Sequence, residues 1–152
     1  MTDEIRGYSR QDDDPEDLEP VLEVDSAFLD ALETLKVEKI MRFWSDSEDI
    51  TLVYPGTEVA CGKKSILDVW TSVSRGTSHL KIFLKPVNMM RFGDMAWIFR
   101  TGMIQSTHGY ETLTVEIFST NVYRREEATW KLVHLHASPS PHQPPYFDQI
   151  LN

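Results

Sequence analysis

Apolar residues recur with a helical period in the first part of the chain. After a polar start they take the spacing of one helix face, with Asp25 as the expected N-cap. The positions on this face are Phe28, Leu29, Leu32 and Leu35. The phase shifts after Leu35, so the pattern predicts two consecutive helices or one bent helix. The same period returns over residues 65–76 and predicts a further helix that stops at Gly76.

From residue 80 onward the period falls to about two, which is the period of a strand. The alternation predicts long strands over residues 80–92, 95–104, 113–123 and 130–137, after short ones over 50–54 and 59–62. Turn signals separate the long strands at Gly93-Asp94, at His108-Gly109 and over 124–127. Pro86 interrupts the first long strand, so we expect an edge strand or a bulge there. Helices followed by a meandering antiparallel sheet define an α+β fold.

The charge of the chain is concentrated near its N-terminus. The formal net charge is −9, but residues 1–25 hold ten of the 24 acidic residues and only two of the 15 basic ones. The rest of the chain is therefore nearly neutral. We predict an acidic flexible leader over residues 1–24, one folded domain over 25–138 and a Pro-rich tail over 139–152.

The composition argues against several classes of protein. No basic stripe suits nucleic acid, and no run of about 18 uncharged apolar residues could span a membrane. Cys61 is the only cysteine, which excludes an intramolecular disulfide and favours a reducing cytoplasm. The sequence has no Gly-rich phosphate loop, so we expect no cofactor.

The stretch LVHLHASPSP, residues 132–141, holds the polar side chains of the last predicted strand. Alternation puts five side chains on one face, which we expect to be the face covered by the helices. They are Trp130, Leu132, His134, His136 and Ser138. His134 would then lie deep, His136 nearer an open end and Ser138 at the rim.

Two chemistries suit this pair of histidines. Histidines at i and i+2 on a strand could both ligate a divalent ion, but none of the candidate third ligands has a diagnostic spacing. Those candidates are Glu116, Asp94, His79, His108 and His142. Acid–base chemistry on a small carbonyl compound is the second hypothesis, with Glu116 or Tyr54 as the partner of a histidine. The structural alternative is that both histidines only form hydrogen bonds within the sheet.

Two features of the neighbouring strands concern ion pairs and partners. Arg100 lies among apolar neighbours, so we expect an ion pair with Glu116, a bound anion or an interface contact. Residues 95–104 are largely apolar on both faces, and helices can cover only one of them. A second copy of the chain on the other face would make a homodimer.

Four segments carry a family resemblance. After a helical opening the chain reads WSDSEDITLVYPG, CGKKSILDVW, RFGDMAWIF and FSTNVYRREEATWKLVHLHAS. This order closely resembles the nuclear transport factor 2-like superfamily, and within it the SnoaL-like group, related to ketosteroid isomerases and to the association domain of calmodulin-dependent kinase II. The resemblance covers about residues 25–138. It implies a cystatin-like cone, a curved antiparallel sheet wrapped around about three N-terminal helices, with an apolar pocket and homodimers that pair through the sheet.

The resemblance also implies a function. We expect the pocket to hold a small hydrophobic ligand, with acid–base chemistry of the isomerase, dehydratase or cyclase type. The candidate catalytic residues are His134, His136, Glu116 and Tyr54. The expected pocket-lining residues are Trp44, Trp70, Arg100, Phe118, Thr120, Trp130 and Leu132. The alternative is a non-catalytic oligomerisation or ligand-binding domain resembling a kinase association domain.

Overall fold

The computed structural model describes residues 16–141. Three helices and two short strands come first, followed by four long strands. The helices are α1 (Glu19–Glu33), α2 (Val37–Met41) and α3 (Lys63–Gly76), and the strands are β1 (Thr51–Val53), β2 (Ala60–Cys61), β3 (His79–Phe92), β4 (Met95–His108), β5 (Glu111–Glu126) and β6 (Thr129–Pro139). The predicted α+β class and order of elements are confirmed. Most of the predicted leader and tail lie outside the described residues, so that division of the chain stays a prediction.

The six described strands form one curved, open sheet with the order β2-β1-β6-β5-β4-β3. All neighbours are antiparallel except β1 and β6, which run parallel. Strand β3 is an edge strand, and its register shifts between Pro86 and Asn88. The sequence-based expectation for Pro86 is therefore met in both respects, because proline cannot donate to a central ladder.

The two faces of the sheet have different surroundings. We call the face that packs against the helices the inner face, and the opposite one the outer face. Side chains of directly paired residues share a face, so Ile98, Asn121 and Leu135 together mark the inner face across three strands. The largest fully buried apolar side chains include Phe28, Trp44, Ile66, Trp70 and Leu132. Each such side chain contributes about 1.5–3 kcal/mol when it leaves water, so this core stabilises the cone.

Helix α1 begins earlier than the apolar pattern predicts. It starts at Glu19 with a proline in its first turn, a position where the missing N–H costs nothing. Asp25 is therefore not an N-cap: it lies inside the helix, and it is fully buried. It falls on the same helix face as Val21, Phe28 and Leu32, so a carboxylate occupies a core position.

A bulge in β6 reverses the alternation that the sequence predicts. Val122 pairs with His134, but Tyr123 pairs with Leu132, so Val133 is an extra residue in β6. Leu132 and Val133 are both buried. From there on Leu135 and Ala137 face inward, while His134, His136 and Ser138 lie on the outer face. The prediction that the histidines share a face with Trp130 and Leu132 is wrong, because one inserted residue exchanges the two faces.

Candidate functional site

A cavity of about 250 Å³ opens between the inner face of the sheet, the C-terminal half of α3 and the loop after β1. We call it the main cavity. Its apolar walls come from α3, from the start of β3, from the end of β4 and from the first half of β5. Its lining residues are Tyr54, Pro55, Gly56, Thr57, Ser72, Val73, Gly76, Thr77, Leu80, Ile104, Ser106, His108, Leu113, Val115 and Ile117. An apolar wall with a few polar groups is the usual composition of a small-molecule pocket, although this one is smaller than most.

Tyr54 lies at the junction of the main cavity and a second, smaller one. The small cavity measures about 30 Å³, room for roughly two water molecules, and shares Tyr54, Ile104 and Ile117 with the main cavity. Within residues 16–141 no hydrogen bond involves the Tyr54 hydroxyl. Burial raises the pKa of Tyr54, so the hydroxyl stays protonated and can donate a hydrogen bond. A ligand oxygen would find an unused donor here.

Trp70 of α3 adds a second unused donor. Its ring lies edge-on to that of Tyr54, with the ring centroids 5.3 Å apart, and it lines the small cavity. The indole N–H is buried and has no hydrogen-bond partner among the described residues. An unpaired buried donor such as the Trp70 N–H is uncommon in folded proteins, and together with the unused Tyr54 hydroxyl it marks the cavity as a place for a polar atom of a ligand or a water.

His108 and Ser106 form a hydrogen-bonded pair on the wall of the main cavity. They occupy alternate positions of β4, so they share its inner face. His108 Nδ1 lies 2.8 Å from the Gly76 carbonyl oxygen at the end of α3, and His108 Nε2 lies 3.0 Å from Ser106 Oγ. A carbonyl only accepts, so Nδ1 carries the proton in the neutral ring and Nε2 accepts from the serine hydroxyl. The fold thereby fixes the tautomer of His108.

A buried polar network lies deeper in the cone. Asp25 of α1 accepts hydrogen bonds from Arg100 Nε at 2.6 Å, from Asn121 Nδ2 at 2.8 Å and from the Tyr123 hydroxyl at 2.5 Å. Burial and the neighbouring Asp25 carboxylate raise the pKa of Tyr123 well above its ordinary value. Asn121 also lines the small cavity, so the network forms its floor. Both carboxylate oxygens are already used, which makes Asp25 a structural anchor.

The family model of the SnoaL-like domain matches residues 21–142. The chain belongs to the SnoaL-like domain family. No match is found among curated proteins. The family assignment agrees with the cone of helices and curved sheet, and with the sequence resemblance.

Solved structures of similar fold include several relatives of this SnoaL-like domain. A proposed dehydratase of the nuclear transport factor 2-like family from Streptomyces avermitilis is 27% identical, with a TM-score of 0.75 over 82% of this chain and 97% of that one. A proposed association domain of calcium/calmodulin-dependent protein kinase type II from Thiobacillus denitrificans is also 27% identical, with a TM-score of 0.68 over 77% and 92%. A ketosteroid isomerase-like protein from Erwinia carotovora atroseptica shares only the fold, with 17% identity and a TM-score of 0.67 over 84% and 97%.

Most catalytic candidates chosen from the sequence lie away from the main cavity. His134 and His136 are on the outer face, and Glu116 is on that face too because its paired residue is Met103. His134 Nδ1 is 2.6 Å from Thr51 Oγ1, and desolvation together with the nearby His136 lowers the pKa of His134. Of the four candidates only Tyr54 lines the main cavity.

The expected pocket-lining residues divide in the same way. Phe118 and Thr120 lie on the outer face, opposite Thr101 and Phe99 of β4. Trp44, Trp130 and Leu132 are buried in the core, and none of them lines the main or the small cavity. Trp70 lines the small cavity.

Arg100 is buried on the inner face but pairs with Asp25 and with the Leu84 carbonyl. The expected ion pair between Arg100 and Glu116 is wrong, because the two residues point to opposite faces.

From the sequence, His108 was a candidate only as a third metal ligand, and Ser106 was not a candidate. The signal was weak but present: Ser106 and His108 alternate just before the Gly109 turn, at the end of a strand. No group of three or more His, Cys, Asp or Glu side chains suited to a metal ion occurs within residues 16–141. His142 lies outside the described residues.

Proposed function

We propose that this SnoaL-like domain binds a small, mainly apolar carbonyl compound in the main cavity and moves a proton on it. The observation that carries the proposal is the unused Tyr54 hydroxyl on a mainly apolar cavity wall. Apolar side chains such as Leu80, Leu113 and Val115 would hold the carbon skeleton. Tyr54 would donate to the carbonyl oxygen, and the cavity volume of about 250 Å³ limits the ligand to a small molecule.

His108 supplies the base in this proposal, in place of His134 and His136. In the neutral ring Nε2 carries the lone pair because Nδ1 is bound to the Gly76 carbonyl, and a substrate C–H would take the place of the Ser106 hydroxyl that now donates to Nε2. Nε2 would take the proton from the carbon beside the carbonyl, and Tyr54 would stabilise the enolate oxygen by a hydrogen bond. Return of the proton to another carbon gives isomerisation, and loss of a β-hydroxyl as water gives dehydration. The similarity to a proposed dehydratase of the same fold supports this reaction class.

Proton exchange on a simple ketone tests the proposal. The protein would be incubated with 2-heptanone in deuterated water, with loss of the proton signals beside the carbonyl followed by NMR. We expect faster exchange than in buffer, a loss of about 100-fold or more in His108→Gln, and little change in His134→Gln on the outer face. Equal exchange rates for wild type and His108→Gln would contradict the acid–base mechanism.

Ligand binding is measured separately in the same samples. Protein amide shifts should move around the main cavity when 2-heptanone is added, and remain unchanged on the outer face. Shifts confined to the outer face would contradict the pocket itself.

The outer face favours assembly as a second function. It carries Phe83, which is 61% exposed, and Met103, which is 37% exposed. Phe99 of β4 and Phe118 of β5 lie on the same face, with ring centroids 6.1 Å apart. A broad apolar surface of this kind is usually covered by a partner. We therefore propose a homodimer through the outer face, and the similarity to a proposed kinase association domain supports it.

The compartment is part of the same proposal. Cys61 is free and exposed, which suits a reducing cytoplasm. No helix in the described range 16–141 has the length and apolar character needed to cross a bilayer. A cytoplasmic site of action would be checked by fractionation of cells that express the chain at its natural level.

A further inference from the structure

We propose that Ser106 and His108 form a nucleophile–base pair that hydrolyses small apolar esters bound in the main cavity. The inference rests on the proposed function only in requiring that the cavity admits small apolar molecules. It assigns to the same site a covalent reaction that proton transfer on a ketone does not need.

The pair has the three parts that activate a serine. Ser106 Oγ lies 3.0 Å from His108 Nε2, within reach for direct proton transfer. The Gly76 carbonyl, 2.8 Å from His108 Nδ1, fixes the ring so that Nε2 is the acceptor. A base held in one tautomer by a third group is the arrangement that turns a weak hydroxyl nucleophile into a useful one.

The end of α3 takes the part that a carboxylate plays in serine hydrolases. Gly76 is the last residue of that helix, so its carbonyl belongs to the negative end of the helix dipole. When His108 accepts the serine proton, the imidazolium faces this partial negative charge. A cation near a helix C-terminus is stabilised, which favours the charged ring as the reaction proceeds.

The surroundings admit a substrate. Ser106 is partly exposed, His108 is exposed, and both line the main cavity, so an ester that enters from solvent reaches the hydroxyl. Leu113, Val115 and Ile104 on the same wall would hold its apolar acyl chain. The Tyr54 hydroxyl is the unused donor available to the ester carbonyl oxygen.

The reaction is balanced without any further reagent than water. The Ser106 Oγ–H proton passes to His108 Nε2 while Oγ bonds to the ester carbonyl carbon. The carbon–oxygen bond to the alcohol breaks, and Nε2 returns the proton to the departing alkoxide. Water then loses a proton to Nε2 as its oxygen bonds to the acyl carbon. The bond from that carbon to Ser106 Oγ breaks, Nε2 returns the proton to Oγ, and the acid leaves.

Hydrolysis of p-nitrophenyl butyrate and labelling by a fluorophosphonate test the proposal on the full chain. We expect hydrolysis above the buffer rate, and a fluorophosphonate adduct that mass spectrometry of peptides locates at Ser106. Ser106→Ala and His108→Gln should each lower hydrolysis by about 100-fold or more. Ser78→Ala is the matched control and should retain both activities, because Ser78 is an exposed serine near the end of α3 that does not line the cavity.

Separate outcomes distinguish this proposal from the proton-transfer proposal. If Ser106→Ala hydrolyses the ester as fast as wild type, or if the adduct forms at another residue, the nucleophile assignment is overturned. If 2-heptanone binds but wild type neither hydrolyses the ester nor takes the label, the pocket stands and the pair only ties β4 to α3. If Ser106→Ala loses ester hydrolysis but keeps ketone exchange, both proposals are supported.

Discussion

Arg100 Nε lies 2.6 Å from Asp25 Oδ2, and the two side chains are 7% and 0% exposed. This ion pair joins the middle of helix α1 to the middle of strand β4. Burying two charges costs desolvation free energy, and the attraction between the two partners offsets that cost. Its main effect is to fix α1 against the inner face in one orientation.

Removing one charge from this pair should destabilise the fold strongly. We expect Asp25→Asn to lower the free energy of unfolding by about 3–5 kcal/mol, because Arg100 is left buried and uncompensated. Urea denaturation followed by far-UV circular dichroism measures the change. The control is Asp46→Asn, which breaks the exposed pair with Lys63 and should leave the midpoint unchanged. A midpoint for Asp25→Asn equal to that of the control would contradict the proposed role.

Two tyrosines provide a matched test of the hydroxyl groups. Tyr123→Phe should cost about 1–3 kcal/mol, because Asp25 loses a hydrogen bond in the core. Tyr54→Phe should leave stability nearly unchanged, since its hydroxyl has no partner within residues 16–141. The same variant should lose proton exchange on 2-heptanone. If Tyr54→Phe destabilises the protein as much as Tyr123→Phe does, the hydroxyl has a structural role.

Gly102 should tolerate no side chain. It has φ +155°, and a Cβ placed on it would lie 1.9 Å from the Phe83 carbonyl oxygen of the neighbouring strand. Gly102→Ala is expected to force β3 and β4 apart and to lower the thermal midpoint sharply. Gly76→Ala is the matched control, because a Cβ there meets no atom within 4 Å. Similar midpoints for the two variants would show that β3 can shift to make room.

The fold was largely predictable from the sequence because its periods are clear, whereas the site was not. Asp25 followed by an apolar run suggested an N-cap, and its partners Arg100, Asn121 and Tyr123 lie 75 or more positions further along the chain. The local signs that the helix starts earlier were the spacing of Val21 with Phe28 and Leu32 and the proline in the first turn. Whether Asp25 caps the helix or lies buried inside it depends on these distant partners, which no local pattern shows.

The histidines show a second limit of pattern reasoning. A strict period of two assigned His134 and His136 to the inner face, but the bulge at Val133 moved both to the outer face. The apolar residues did mark the extra residue, since they fall at 130 and 132 and then at 133, 135 and 137, with the phase shifting between Leu132 and Val133. Tyr54, in contrast, follows β1 directly, and it does line the main cavity.

The pH dependence of stability should contain a contribution from His134. Its pKa is lowered in the folded protein, so the unfolded chain takes up the proton at higher pH. The contribution of His134 to the free energy of unfolding is therefore fully present above about pH 6.5. It is lost as the pH falls toward the lowered pKa. We expect the thermal midpoint of wild type to drop more than that of His134→Gln between about pH 7.5 and 5.5.

The control for this measurement is Ser138→Ala, a further outer-face position of β6 that does not titrate. It should keep the pH dependence of wild type. An equal drop in His134→Gln and wild type would show that His134 is not desolvated in the folded state.

The outer face should control the oligomeric state. Phe83→Lys places a charge on this apolar surface, so we expect it to shift the protein from a dimer to a monomer of 17.6 kDa. Light scattering after size-exclusion chromatography measures the mass. Tyr110→Lys, at a fully exposed aromatic in the turn between β4 and β5, is the control and should remain dimeric. A monomeric wild type at all concentrations would contradict the proposed interface.

The order of the strands restricts when the chain can fold during synthesis. Strand β6 lies between β1 and β5, and Thr51 pairs with His134, 83 positions later. The sheet therefore stays in two separate parts until residues 129–139 have left the ribosome. Helix α1 can already pack on β4 and β5 through Asp25, but β1 has no neighbour on its β6 side until then, so this part of the core is completed last. Truncation within β6 would leave the nascent chain with no route to the cone.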